Sequence, residues 1–261
     1  MESAIREKID THVLAAQAVL YRTMAEGIFA ITSNWARGYS GLRWPNFNVL
    51  LPLTPAGLSD DALADSAAFF SQKRVYYTVE LIHDRFPDGP DFLDKRGYQP
   101  WPPQPAMYLS GSPADVCLTP EVVVEPVTTV PTLTAFCTTL HRVYDFPLAD
   151  MAKLAPVSHL NHEAVNHYLA FWGDVPVGAG TLVCAEGASS IWNLSTLDGY
   201  RQRGVATTLL HRMLVDAEKN DCSPTVLYST AQAFRLFSKM GFEIFTQRQW
   251  FLPPGIDYDD E

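Results

Sequence analysis

The run Tyr200-Arg201-Gln202-Arg203-Gly204-Val205-Ala206-Thr207 joins a strand-like segment to a helical one and combines small residues, positive charge and a hydroxyl. Such a junction can hold an anion, because the first turn of a helix presents unpaired backbone N–H groups and the positive end of its dipole. Gly204 and Ala206 are small where a phosphate must approach the backbone, Arg201 and Arg203 add charge that can be directed at phosphate oxygens, and Thr207 adds a hydroxyl. Taken alone, the pattern R-x-x-G-x-A more often describes an ordinary helix start with two solvated arginines.

Other reactive side chains give weaker signals. His159, His162 and His167 cluster, and His162-Glu163 opens like a zinc-protease signature, but the next His follows five residues later instead of four. On a helix that rotation points the two rings apart, so no shared metal is expected. Cys117, Cys137, Cys184 and Cys222 lack the paired spacing of zinc ligands or redox dithiols and read as reduced, mostly buried residues.

The elements that must position these residues are legible from periodicity. Ile5, Ile9, Val13, Ala16, Leu20 and Met24 form one helical stripe over residues 4–25. Strand character at 47–53, a helix at 59–73, a strand at 75–81, a short helix ending on Gly97 and a strand at 106–109 follow. The Pro- and Gly-punctuated segment 110–131 reads as a linker. Beyond it come a helix at 132–144, strands at 166–172, 177–185 and 191–197, and a helix with Ala206, Leu210, Met213 and Ala217 on one face. A short buried strand at 226–229, a helical stripe closing at Gly241 and a final strand at 242–252 complete the order.

The ends of the two halves repeat one another. Phe92-Leu93-Asp94-Lys95-Arg96-Gly97-Tyr98 aligns with Leu236-Phe237-Ser238-Lys239-Met240-Gly241-Phe242, and a strand ending in an aromatic and a Leu follows each. With a long helix and a short strand preceding both, duplication explains the agreement.

In this context the 201–206 loop resembles the acetyl-CoA signature of the GNAT superfamily of N-acyltransferases. The resemblance runs from about residue 168 to 252 and includes the strand ending Leu194-Ser195-Thr196-Leu197 and the helix closing on Gly241-Phe242. It implies that Arg201, Gln202, Arg203, Gly204, Val205, Ala206 and Thr207 hold the pyrophosphate of acetyl-CoA. It also implies that Leu194, Ser195 and Thr196, on a strand splayed from its neighbour, hydrogen-bond the pantetheine arm, and that a backbone N–H there steadies the oxyanion. The reaction implied is direct attack by an amine in a ternary complex, with positioning supplying much of the acceleration.

Two departures from the family pattern stand out. Phe237 occupies the position where many relatives carry a Tyr that protonates the departing thiolate, and Tyr228, Ser229 or water would have to substitute. The strand Ile191-Trp192-Asn193-Leu194-Ser195 also lacks the carboxylate that some relatives use as a base. His167, His159, His162 and Glu163 are then the candidates, His being suited by its near-neutral pKa. Trp172 and Trp192 are candidates for the wall of an acceptor pocket.

The expected architecture is α/β, two GNAT-like mixed-sheet domains in tandem, divided as 1–115 and 116–261. The first is degenerate: where its long helix begins, Asp60 and Asp61 occupy the first turn and would repel a pyrophosphate. The expected acceptor is a primary amine of a small molecule or peptide, with a protein lysine or N-terminus as runner-up and a non-catalytic acyl-CoA sensor or interaction module as the rival class. Acidic residues exceed basic ones by ten, which disfavours nucleic acid and anionic membranes. The charged N-terminal stretch and the lack of a long apolar run predict a soluble, cytoplasmic protein. A homodimer is left open.

Overall fold

The computed structural model describes residues 3–256. The first half comprises α1 (Ser3–Thr23), β1 (Ile28–Ile31), β2 (Trp35–Tyr39), β3 (Val49–Pro52), α2 (Asp60–Lys73), β4 (Thr78–Ile82), α3 (Gly89–Asp94), β5 (Gln99–Pro100) and β6 (Gln104–Leu109). The second comprises β7 (Val122–Pro126), α4 (Val130–Tyr144), α5 (Leu148–Leu154), β8 (Val165–Trp172), β9 (Val175–Ala185), β10 (Ala188–Thr196), α6 (Val205–Lys219), β11 (Thr225–Tyr228), α7 (Phe234–Lys239) and β12 (Glu243–Leu252). None of the helices among the described residues is long and apolar enough to cross a membrane.

All strands join one mixed sheet in the order β1-β2-β3-β4-β12-β6-β11-β10-β9-β8-β7, with β5 pairing β12 off this path. Each half carries the same core unit, an antiparallel meander followed by a parallel step across a helix. These steps are β3 to β4 over α2, and β10 to β11 over α6.

The last strand of each half is exchanged. β12 pairs with β4 of the first half, while β6 pairs with β11 of the second, and the two exchanged strands pair with each other. The cores follow the exchange. Met107 and Leu109 of β6 pack with Leu209, Met213 and Leu227, and Phe251 of β12 packs with Phe70, Val79 and Leu81. The first helix also crosses to the second half, where Ala185 O lies 2.8 Å from His12 Nδ1 and Ser223 O accepts from Lys8 Nζ at 2.7 Å.

Four of the elements, β1, β2, β7 and α5, were hidden in the sequence. β1 and β2 form a hairpin of only four and five residues, too short for alternation to stand out. β7 lies inside the predicted linker; it is the outer strand beyond β8, with Val123 52 % exposed, and Pro126 ends it where a missing N–H is tolerated. α5 is short and follows Pro147.

The degeneracy of the first half is visible at α2. Ser59 caps the helix by accepting from Ala62 N, and Asp60 is held by Arg96 through bonds of 2.6 and 3.0 Å. A Cβ on Gly57, in the turn before that helix, would lie 1.8 Å from Asn34 O. This helix start is occupied by the protein's own groups and carries negative charge.

Candidate active site

β10 and β11 run parallel for only two residue pairs, Ser189 with Thr225 and Ser190 with Val226. Beyond them β10 continues to Thr196 along β9, so from Ile191 onward its other edge faces a widening gap toward β11. The separation is sharpened by a bulge between Trp192 and Ser195, where Asn193 takes a left-handed φ of 55°. Ser195 Oγ donates to Ala179 O at 3.3 Å, Leu194 packs into the core under α6, and the buried Thr196 Oγ1 has no protein partner.

The gap leads to the start of α6. Gln202 and Gly204 both have positive φ, 60° and 80°, and Gly204 is the residue from which the helix starts. The first helical bond is Thr208 N–H to Gly204 O at 3.0 Å, so the amides of Val205, Ala206 and Thr207 precede any reachable carbonyl of the helix. No acidic residue stands in this first turn, in contrast to α2. Arg201, Gln202 and Arg203 are exposed, which leaves the turn open.

The two arginines are not equivalent. Arg201 is tied to the loop, with Nη2 2.9 Å from Asp198 Oδ1 and Nε donating to Thr196 O at 3.3 Å. Arg203 lies 5.8 Å over the ring of Trp172 and 5.6 Å over that of Tyr200. This places Trp172 beside the loop, not in an acceptor pocket. The segment joining the halves braces the loop from behind: Thr119 Oγ1 donates to Arg203 O at 3.2 Å, and Thr119 N donates to Thr208 Oγ1 at 3.2 Å.

Where β10 and β11 separate, a cavity of about 360 Å³ opens between the halves. Ile191, Trp192 and Asn193 of β10 and Tyr228 of β11 line one side, while Glu80 of β4, Gln104 of β6 and Arg248 and Trp250 of β12 line the other. Residues of α1, α5 and the 144–146 turn complete it. Tyr228 is the predicted donor that the structure brings to this place. Burial and then the carboxylate of Glu80 push its phenol well above the usual range, with Arg248 pulling the other way, so it is protonated at neutral pH. Arg248 Cζ sits 3.5 Å from the Tyr228 ring centroid and 4.0 Å from that of Trp250.

The other candidates sit elsewhere. Ser229 is fully buried, with its hydroxyl donating to Thr230 O at 2.8 Å and its amide to Pro105 O. Phe237 is 4 % exposed and packs on Phe242 in the core beneath the sheet. His167 is buried outside the cavity lining, bridging Thr181 Oγ1 at 2.8 Å and His159 Nδ1 at 2.9 Å, while His159 Nε2 lies 2.7 Å from Thr23 Oγ1 of α1. His162 accepts from Ala164 N, and Glu163 is absent from the residues lining the cavity. Geometry therefore favours Glu80, which sequence reasoning passed over, although a lone carboxylate inside the apolar strand Val75–Leu81 was the available signal.

The histidine pair has a consequence for stability. Burial and the neighbouring His159 hold His167 down at about 3, and burial with His162 holds His159 at about 4. Both lie below the unfolded value of about 6.5. The unfolded chain therefore takes up protons first, so the stabilisation is complete above that value and is lost as pH falls from about 6.5 toward 4. At pH 5 the loss is about 2 kcal/mol for one imidazole. Denaturant titrations at pH 7 and pH 5 should show it, with a smaller difference in His167→Gln; an equal difference in the variant would remove the histidines as its cause.

The splayed parallel strands, the open helix start and the order of elements around them agree with a family model. Residues 163–244 match the acetyltransferase (GNAT) domain. This part of the chain belongs to the GNAT superfamily of N-acetyltransferases. An uncharacterised N-acetyltransferase of Bacillus subtilis (strain 168), YjcF, is 24 % identical over 102 residues, covering 39 % of this chain and 71 % of that protein. A GCN5-related N-acetyltransferase from Kribbella flavida has the same fold with a TM-score of 0.76 at 15 % identity, covering 97 % of this chain and 98 % of its own. A tandem GNAT protein from the clavulanic acid biosynthesis pathway aligns with a TM-score of 0.63 at 11 % identity, over 95 % of this chain and 89 % of its own. In fold, both halves of this chain thus have counterparts in a two-part architecture.

Proposed function

We propose that this acetyltransferase moves the acetyl group of acetyl-CoA to a primary amine of a small molecule held in the cavity between the halves, by direct attack in a ternary complex. The observation that carries the reading is where β10 and β11 part: their pairing ends at Ser190 and Val226, and Ile191 to Asn193 and Tyr228, just beyond, line the cavity. The start of α6 suits a diphosphate, and the cavity has room for a small acceptor. A cavity of about 360 Å³ has room for a small free amine. The units 1–115 and 116–261 are two GNAT-like copies in this reading, the first having given up its own coenzyme site and become part of the acceptor site.

The residues present fit coenzyme A. The amides of Val205, Ala206 and Thr207, with the close backbone approach allowed at Gly204, would take the pyrophosphate, and Arg201, Gln202 and Arg203 would flank it. The free edge of β10 at Leu194, Ser195 and Thr196, together with the unpartnered Thr196 hydroxyl, would hold the pantetheine arm. When bound, acetyl-CoA supplies an acyl group activated as a thioester. The chain's own residues orient the amine against the bulge at Asn193, place Glu80 to take the proton that the amine loses on attack and keep a proton on Tyr228 Oη for the leaving sulfur.

The test is release of free thiol from acetyl-CoA in the presence of a library of small primary amines. Amine-dependent release with formation of the N-acetyl product is expected. If coenzyme A stabilises the protein but none of the amines increases release, acetyl transfer to small amines is wrong.

A further inference from the structure

The cavity is chemically lopsided. Its apolar walls include the aromatic side chains of Phe47, Phe146, Trp192 and Trp250, and the charged residues lining it are Glu80 and Arg248. Glu80 is only 3 % exposed. Its Oε2 accepts from Trp250 Nε1 at 3.0 Å and lies 3.8 Å from Arg248 Nη1, while Oε1 has no partner. Gln17 Oε1, also on the cavity lining and in a residue 4 % exposed, is likewise unpartnered. Arg248 is otherwise committed, with Nη2 donating to Gln104 Oε1 at 2.7 Å and its plane held against the Tyr228 and Trp250 rings. Its Nε lacks a partner but is enclosed by this packing. Among the described residues, three of the four unpartnered polar atoms on its lining are acceptors, on Gln17, Asn46 and Glu80.

A buried acceptor left without a donor costs about 1–3 kcal/mol, more when charged, so an occupant that supplies N–H groups gains where water or an apolar group does not. The aromatic walls favour a flat apolar body and, through their ring faces, a neighbouring cation.

We propose that Glu80, supplied by the degenerate half, is the specificity-determining residue for the acceptor: its Oε1 receives the ammonium of an apolar aromatic monoamine, whose ring lies among the cavity's aromatic side chains. This rests on the acetyl-transfer reading of the same cavity. The first half then retains a share in the site after losing its coenzyme loop, and the strand exchange has a use, because β12 delivers the Trp250 and Arg248 that hold Glu80 Oε2 in place.

The experiment compares 2-phenylethylamine, 2-phenylethanol and glucosamine in wild type and Glu80→Gln, reading thiol release and thermal stabilisation by coenzyme A. In wild type, 2-phenylethylamine should be turned over with a kcat/KM at least about 100-fold above glucosamine, as expected when both bring an ammonium to Glu80 but only one has an apolar ring to place among the aromatic side chains. 2-Phenylethanol should neither react nor compete. Glu80→Gln should raise KM for 2-phenylethylamine about 100-fold, leaving stabilisation by coenzyme A unchanged. Preference for glucosamine, turnover of neither amine, or an unchanged KM in a folded Glu80→Gln would overturn the proposal. The wild-type comparison decides it even if the variant does not fold. Loss of coenzyme stabilisation in wild type would instead remove the acetyl-transfer reading beneath it.

Discussion

Gly204→Val is expected to abolish the thermal stabilisation that coenzyme A gives the wild-type chain. At a coenzyme concentration about 100 times Kd that stabilisation is about 2.7 kcal/mol, and all of it should go. Two features act together. Gly204 has φ 80°, which a β-branched residue adopts only with strain, and a Cβ built there would lie 1.9 Å from Thr119 Oγ1. Any relief of this contact shifts the turn that aims the amides of Val205, Ala206 and Thr207. Thr119→Gly is the control for the brace behind the turn. Thr119 bonds the carbonyl of Arg203 and the hydroxyl of Thr208, not those amides, so this variant should keep its response to coenzyme A. Undiminished stabilisation of a folded Gly204→Val would show that the diphosphate does not rest on the start of α6.

Removing one oxygen at Tyr228 should be nearly as damaging to turnover. Tyr228→Phe is expected to lower kcat by about 10² to 10⁴, the usual worth of a positioned general acid, with KM for acetyl-CoA little changed. The substitution keeps the ring against which Arg248 packs at 3.5 Å, so the cavity wall survives. A phenol raised well above its ordinary range stays protonated through the assay window, and the wild-type rate should show no alkaline fall due to this group below pH 9. Steady-state kinetics with the amine found by thiol release would measure both. An unchanged kcat would leave Tyr228 as wall and return the proton to water. Phe237→Tyr, by contrast, adds a hydroxyl to a side chain enclosed beside Phe242, where no opening to the cavity offers it a role.

The parts of the site legible in the sequence are those built from neighbours in the chain. The start of α6 is one: a strand, a short turn with Gly204 and a helix with its apolar stripe on one face fix three free amides within a few residues. The same holds for the contrast with α2, where Asp60 and Asp61 at the first turn are enough to set the sign of the local charge. His167 misled for a related reason. Its residue type suggests a base, yet whether an imidazole meets solvent, a cavity or another imidazole depends on what packs over the strand, here Phe136 at 4.4 Å between ring centroids and His159.

The sequence by itself determined the repeated order of elements, the open helix start in the second half and its closed counterpart in the first, because hydrogen bonding within helices and alternation along strands are local. Only the tertiary structure decided that β6 and β12 change places, and with that exchange the pairing of Glu80 with Trp250 and Arg248 across 170 and 168 positions of chain. A strand's pattern of apolar residues says that one face must be buried, but not against which edge it will hydrogen-bond, since the backbone groups that pair are the same in every residue. The acceptor cavity lies at that seam, and its polar atoms come together only once the sheet has closed.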